Sequence, residues 1–282
     1  MKLLNGKELA DKIKDEVRAE VEKMTEKPCL AVIQVGDNPA SSTYVRNKEK
    51  ACEYCGIESK IYNLLENISE EDLLMLIDSL NRIETIHGIL VQLPLPKHID
   101  EHKVIQAIDP AKDVDGFHEI NVGKLMIGED TFVPCTTKGI IELLNENNIK
   151  IEGQNCVVVG RSNIVGKPTA MELLRNNGTV TICHSKTKGL KQICREADIL
   201  ICAIGKPKFF NRDYISPNTV VIDVGIHRQE DCTLCGDVDF EDVKDIVSAI
   251  TPVPGGVGAM TVAMLMKNCV QAAHNNRLVC IK

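Results

Sequence analysis

Tyr44 and Lys48 stand four residues apart in a stretch of helical periodicity, so their side chains share one helix face and their tips can meet. A lysine ammonium beside a phenol or a reacting oxygen supplies positive charge or, once desolvated, a base near neutral pH. Alone, Y-x-x-x-K is a common surface pattern. Here it follows directly on an apolar run, Cys29 to Val35, and α/β folds gather ligands at the carboxyl ends of such strands. Gln92 closes a second apolar run and Asp115 sits in the polar stretch DPAKDVDGFH, so both are expected to face the same cleft. A glutamine can hold a lysine amine, and a carboxylate can accept two parallel N–H bonds from an amino-pyrimidinone edge. Asp115 also precedes Gly116 in a strong turn dipeptide, which by itself explains an aspartate there.

The second candidate is VVVGRSNIVGKP, residues 157–168. A buried strand that bends straight into a helix leaves the first helical N–H groups unpaired and aimed at one spot, which suits a phosphate. Gly160 and Gly166 fall where such a turn needs them, but the full G-x-G-x-x-G spacing is incomplete, and an ordinary tight turn would use the same glycines. An NAD-binding turn carries an acidic residue about 20 positions further on, for the ribose hydroxyls. His184, Ser185 and Lys186 stand there instead, with Arg161 in the first turn, so a 2′-phosphate is welcomed and NADP is expected over NAD. Pro252 to Gly258, PVPGGVG, describes a rigid backbone that something approaches closely, or a plain hinge.

Other motifs are weaker. His98 to His102 matches H-x-x-E-H, but Asp100 is the better helix cap and leaves His98 outside the helix. Two C-x-x-C pairs, Cys52/Cys55 and Cys232/Cys235, lie too far apart for a convincing zinc site, and no metal is expected. Twelve cysteines in a chain with no evident export signal read as buried hydrophobes or free thiols. Short-chain dehydrogenases also use Tyr-x-x-x-Lys, but there the pair follows the glycine turn, whereas here it precedes Gly160.

The elements that must position these groups alternate. Asn5 with Glu8 resembles a capping box before a stripe at Leu9, Ile13, Val17 and Val21. Apolar runs at 29–35, 57–64 and 86–93 alternate with helical patterns at 40–55, 69–80 and 100–108. After a helix capped by Thr136 the rhythm restarts with strands at 156–159, 180–183, 199–203 and 220–224, and a last helix at 260–275. This is α/β architecture with mostly parallel sheets. At 282 residues two domains are expected, and a net charge of −7 with no Trp argues against a nucleic-acid surface. No apolar run is long enough for a bilayer, and the N-terminus turns polar too soon for a signal peptide, so a soluble cytoplasmic protein is expected.

In this order the segments VGDNPASSTYVRNK, GILVQLPLP, KDVDGFH, VVVGRSNIVGKP, CHSKT, VIDVGI, GDVDF and TPVPGGVGAMT resemble the bifunctional methylenetetrahydrofolate dehydrogenase/cyclohydrolase family, known in bacteria as FolD. The resemblance covers essentially the whole chain. It departs at Thr137 and Ala259, where the family usually has proline. It implies NADP-dependent oxidation of 5,10-methylenetetrahydrofolate to the methenyl form, then hydrolysis to 10-formyltetrahydrofolate. A monofunctional dehydrogenase and a non-catalytic NADP-binding regulator are the alternatives. By resemblance Lys48 is the central catalytic group, Tyr44 orients the folate ring, Gln92 holds Lys48 and Asp115 grips the pterin edge. Pro254, Gly255 and Gly256 join the folate contacts, and Gly160, Arg161, Ser162, Ile164, Gly166, His184, Ser185 and Ile226 receive NADP. The implied architecture is a catalytic domain at 1–138, a Rossmann-like NADP domain at 139–258 and a helix at 259–282 returning to the first, with the folate site in the cleft between the two domains and a homodimer formed through the cofactor domain.

Overall fold

A computed structural model describes residues 1–280. Positions 281 and 282, the end of the segment expected to return to the catalytic domain, lie outside the described residues. The chain divides into two compact units. The first comprises Met1–Ala10, Leu125–Gly128 and Thr136–Thr261, and the second comprises Asp11–Lys124, Glu129–Cys135 and the chain from Val262 onward.

The second unit is built on three parallel strands in the order Glu58–Leu64, Cys29–Val35, Gly88–Val91. Every residue of the central strand is buried, as a parallel strand covered on both faces requires. Helices Pro39–Cys55, Glu70–Asn81 and Glu101–Ala107 follow the strands in β–α rhythm. Ser69 caps the second by accepting from Asp72 N (3.0 Å), and Asp100 caps the third through His102 N and Lys103 N. Ile33, Leu73, Ile77, Leu80, Ile89 and Val104 form one core, each side chain worth about 1.5–3 kcal/mol of burial.

In the first unit six parallel strands run in the order Lys2–Leu3, Ala249–Ile250, Val220–Asp223, Ile199–Cys202, Asn155–Val159, Thr179–Cys183. Strand order reverses between Asn155–Val159 and Ile199–Cys202, the topological switch point where doubly wound sheets bind their ligands. Val157, Leu200, Val221, Phe210 and Ile250 lie in the core beneath.

Three local expectations change. Helix Glu119–Ile127 occupies chain that no periodicity marks, because its buried positions are Asn121 and Leu125 while Ile120, Met126 and Ile127 face solvent. Thr136 is not a cap: the helix begins at Cys135, and the Thr136 hydroxyl lies 3.2 Å from that of Thr261. The last helix runs from Val257 to Cys280, longer at both ends than its stripe suggests. Thr137, in place of the family's proline, is fully buried with its hydroxyl 3.0 Å from that of Thr169, so a side-chain bond ties together two helix starts.

Candidate active site

In the second unit the helix Pro39–Cys55 is fastened to the strand before it. Buried Gln34 donates through Nε2 to Gly36 O (2.9 Å) and Ser42 Oγ (2.8 Å), and Ser41 N donates to Asn38 Oδ1 (3.3 Å). That anchor sets the face carrying Tyr44, which is 41% exposed, and half-buried Lys48. Gln92 pairs its backbone N–H with Ile33 O (2.8 Å) and leads into the cis peptide Leu93–Pro94. Its Nε2 donates to Leu93 O (2.7 Å), which leaves Oε1 to accept from Lys48 Nζ at 3.0 Å. The ammonium and the amide, 44 residues apart in sequence, therefore form one polar pair.

Asp115 is half-buried in a loop braced from several directions. Ile89 N donates to Lys112 O (2.8 Å). The buried Lys112 ammonium donates to Leu80 O, Asn81 O and Ile83 O, closing the carboxyl end of the helix Glu70–Asn81. Asp113 Oδ2 accepts from His118 N (2.8 Å) and Asn121 Nδ2 (2.9 Å). Gly116 adopts φ of +72°, and a Cβ there would meet Pro134 N at 2.9 Å, so the D-G turn is real as well as functional in prospect. Desolvation raises the Asp115 pKa above the usual carboxylate range, while the charge of Lys48 pulls it down and Asp113 pushes it up. Lys48 thus acts on both Gln92 and Asp115.

Residues that sequence reasoning passed over complete this frame. Cys135 Sγ contacts Val114 O (3.4 Å) and Asp115 Oδ1 (3.8 Å). Asn268 Nδ2, fully buried, donates to Val114 O (2.8 Å) and Val133 O (3.2 Å). An asparagine inside the largely apolar stretch AMLMKNCVQAA is the available signal for Asn268, although nothing in the sequence names its partners.

In the first unit the glycine turn sits at the switch point. Gly160 has φ of +145°, and a Cβ there would run into Ala203 O; one on Gly166 would run into Gly160 O. Gly160→Ala is therefore expected to cost about 1–3 kcal/mol of backbone strain before any loss of cofactor affinity, measurable as a lower melting temperature of the cofactor-free protein. Contrary to expectation, the first helical N–H groups are not all unpaired. Ser162 Oγ accepts from Val165 N (3.2 Å) and Gly166 N (3.3 Å), standing where a phosphate oxygen would stand. Arg161, Ser162 and Ile164 are exposed around it. At the end of Thr179–Cys183, His184 Nδ1 accepts from Lys186 N (3.1 Å), which assigns the ring proton to Nε2 and makes it a donor. Ser185 and Lys186 are exposed beside it, and this stretch carries no carboxylate. Hydroxyl, imidazole and cationic donors without an acid fit a 2′-phosphate.

The segment 251–258 also lies in this unit. The peptide Val253–Pro254 is cis, Gly255 has φ of +98° and its carbonyl accepts from Lys7 N (2.8 Å). A Cβ on Gly6 would run into Gly256 O and one on Gly256 into Pro252 O, so the segment folds tightly on itself and against the start of the N-terminal helix. Ile226 is exposed, and its Cδ1 lies 2.8 Å from where a Gly258 Cβ would sit.

Cys52 and Cys55 are buried in their helix, with pKa values pushed up by desolvation to about 12 and about 11. His98 lies outside the helix that Asp100 caps, 2.9 Å from Ile68 O through Nε2. No cluster of three metal-ligating side chains occurs among the described residues, and no helix there is long and apolar enough to cross a membrane.

A strained glycine turn at the switch point of a parallel sheet, together with a Lys–Gln pair and a raised carboxyl at strand ends, defines a cofactor-dependent α/β enzyme. Comparison with known proteins is specific. Residues 4–115 match the catalytic domain, and residues 134–277 the NAD(P)-binding domain, of tetrahydrofolate dehydrogenase/cyclohydrolase. The bifunctional protein FolD of Agathobacter rectalis is 60% identical over 96% of this chain and 98% of its own. The crystal structure of the bifunctional FolD enzyme from Campylobacter jejuni superposes with a TM-score of 0.95 at 50% identity, covering 98% of this chain and 99% of that one. The Trypanosoma brucei methylenetetrahydrofolate dehydrogenase-cyclohydrolase, solved with NADP and an inhibitor, gives a TM-score of 0.92 at 36% identity over 97% of both chains. This chain belongs to the tetrahydrofolate dehydrogenase/cyclohydrolase family. It is a bifunctional tetrahydrofolate dehydrogenase and cyclohydrolase with an NAD(P)-binding domain.

Proposed function

We propose that Lys48, held by Gln92, is the group through which the second unit handles the one-carbon bridge of the folate. Oxidation removes a hydride from the methylene carbon, and NADP supplies the acceptor when bound. Hydrolysis adds water to the resulting methenyl carbon, releases one proton and breaks the bond to one of its two nitrogens, which leaves a formyl group on the other. The Lys48 amine orients the bridge and relays that proton, a role that requires a fixed Nζ. The observation that carries this reading is the 3.0 Å bond from Lys48 Nζ to Gln92 Oε1, with the Asp115 carboxyl under the same lysine's charge. Asp115 accepts paired N–H bonds from the pterin edge, and Tyr44 lays its exposed ring against the folate. In the first unit Pro254, Gly255 and Gly256 offer backbone to the folate, while Ile164 and Ile226 flank the cofactor.

Gly160, Gly166 and Ser162 receive the NADP pyrophosphate, with Arg161, His184 and Ser185 at the 2′-phosphate. Arg161→Ala with Ser185→Ala is expected to raise KM for NADP roughly 10²- to 10⁴-fold and leave KM for NAD little changed, since each of the two charge-assisted bonds is worth about 1.5–3 kcal/mol. Equal losses with both cofactors would refute the 2′-phosphate assignment. Purified protein supplied with methylenetetrahydrofolate and NADP, followed at once for reduced cofactor and for methenyl accumulation, tests the whole reading. Lys48 variants should accumulate methenyl product that the parent clears.

A homodimer through the first unit is supported by its edge strand. Thr179–Cys183 presents unpaired backbone with Ile182 exposed, and Leu174 on the neighbouring helix is 56% exposed. Light scattering of the parent and of Ile182→Lys distinguishes a dimer from a monomer. Eleven cysteines among the described residues stand outside any disulfide, which supports a reducing, cytoplasmic setting, and the 10-formyl product suits formyl transfer in purine assembly.

A further inference from the structure

Strands Ile199–Cys202 and Val220–Asp223 end side by side in the first unit, and the loops leaving them are cross-linked by two buried aspartates. Asp237 Oδ2 accepts from Ile204 N (2.6 Å) and Gly205 N (3.0 Å), and its Oδ1 accepts from Lys206 N (2.9 Å) and His227 Nε2 (2.8 Å). Three successive N–H groups converging on one point make a nest that ordinarily holds a bound anion. Here the protein's own carboxylate fills it. Asp223 in turn accepts from Asp237 N (2.9 Å), Gly225 N (3.0 Å) and Val238 N (2.9 Å), and its own N–H donates to Thr251 Oγ1 (2.8 Å). A Cβ on Gly225 would run into the Asp237 carboxylate, and one on Gly236 into that of Asp223, so neither loop can draw back to admit one.

The braced loops carry Ala203, whose carbonyl faces Gly160, and Ile226, which bears on Gly258. Both aspartates are too buried to reach a ligand. Burying two carboxylates is expensive where apolar side chains would fill the same core, and desolvation lifts the Asp223 pKa to about 6. What the carboxylates add is loop geometry. A dinucleotide at a switch point lies with its two halves on opposite sides of the strand reversal. With the 2′-phosphate end at Arg161 and Ser185, the other half falls over these loops.

We propose that Asp237, braced by His227 and Asp223, is a positioning residue for NADP that fixes the loops 203–206 and 224–227 in the shape receiving the nicotinamide half of the cofactor. The proposal rests on the placement of NADP at the glycine turn. Asp237→Asn is expected to weaken NADPH binding at least tenfold by calorimetry. It should raise KM for NADP with kcat changed less than threefold, and speed amide exchange at Ile204, Gly205 and Lys206 in the cofactor-free protein. His227→Gln, whose amide still donates to Asp237, should bind NADPH within threefold of the parent, whereas His227→Leu loses affinity three- to tenfold. That pair decides the matter should Asp237→Asn not fold. Parent-like affinity in a folded Asp237→Asn, or equal affinity in the two His227 variants, overturns the proposal. Arg161→Ala in parallel separates the premises. If it weakens binding while the Asp237 and His227 variants do not, the positioning role alone fails; if it too has no effect, the cofactor placement fails with it.

Discussion

Lys48→Met is expected to reduce cyclohydrolase turnover by at least about 10²-fold, the lower range for loss of a positioned proton-transfer group. Methionine keeps the length and apolar stem of lysine but cannot donate to Gln92 Oε1. Because Lys48 is only half-buried at the helix surface, the protein should stay folded, with an unchanged circular dichroism spectrum and NADPH affinity. Methenyltetrahydrofolate hydrolysis, followed as loss of methenyl absorbance with the spontaneous rate subtracted, provides the measurement. Parent-like hydrolysis in the folded variant would remove Lys48 from the mechanism. Gln92→Ala should give a smaller loss of the same kind, since it frees the ammonium without deleting it.

Asp115→Asn should lower affinity for the folate substrate roughly 10²–10³-fold, because an amide cannot accept two parallel N–H bonds as a carboxylate does. Its stability should move the other way. Burial lifts the folded-state pKa of Asp115 above its unfolded value, so the folded protein holds this proton more tightly than the unfolded chain does. The site's stability contribution therefore falls as pH rises from the ordinary carboxylate pKa through the raised one, and ionised Asp115 costs folding free energy at neutral pH. Asparagine carries no such cost, so its melting temperature at pH 7 should exceed the parent's. Substrate binding has the reverse dependence: the carboxylate form is required, so KM rises on acidification. Removing the Lys48 charge, which draws the Asp115 pKa down, should shift that acid limb to higher pH in Lys48→Met. Unimpaired folate affinity together with a lowered melting temperature in Asp115→Asn would show a structural aspartate.

Much of the scaffold is local and was therefore legible. Asn5 and Glu8 form the expected capping pair, with Glu8 N donating to Asn5 Oδ1 (3.2 Å) and Asn5 Nδ2 to Glu8 Oε2 (3.3 Å). CLAVIQV is strand because a parallel strand buried on both faces needs unbroken apolar side chains. Helix Glu119–Ile127 escaped because a stripe argument assumes that apolar residues face inward, and here a buried asparagine takes one inward position, Asn121 held by Asp113 and Thr131. Lys2–Leu3 and Ala249–Ile250 are two residues each, too short to show a period, and form strands through pairing with each other and with Val220–Val221.

The same division runs through the candidate site. The amino-acid sequence alone determined which groups could react and which turns could bend: a lysine one helical turn from a tyrosine, glycines where the backbone needs positive φ, and donors without an acid where a ribose phosphate would lie. Those are properties of a few consecutive residues, and short-range sterics and periodicity express them. Tertiary structure decided which atoms meet: Lys48 with Gln92, Ser162 with the helix start expected to be open, Asn268 with the Asp115 loop across 154 residues, and Asp237 with three amides of another loop. A hydrogen bond between distant segments leaves no period or spacing in the chain. It exists only once packed strands have brought both ends of the bond to the same place.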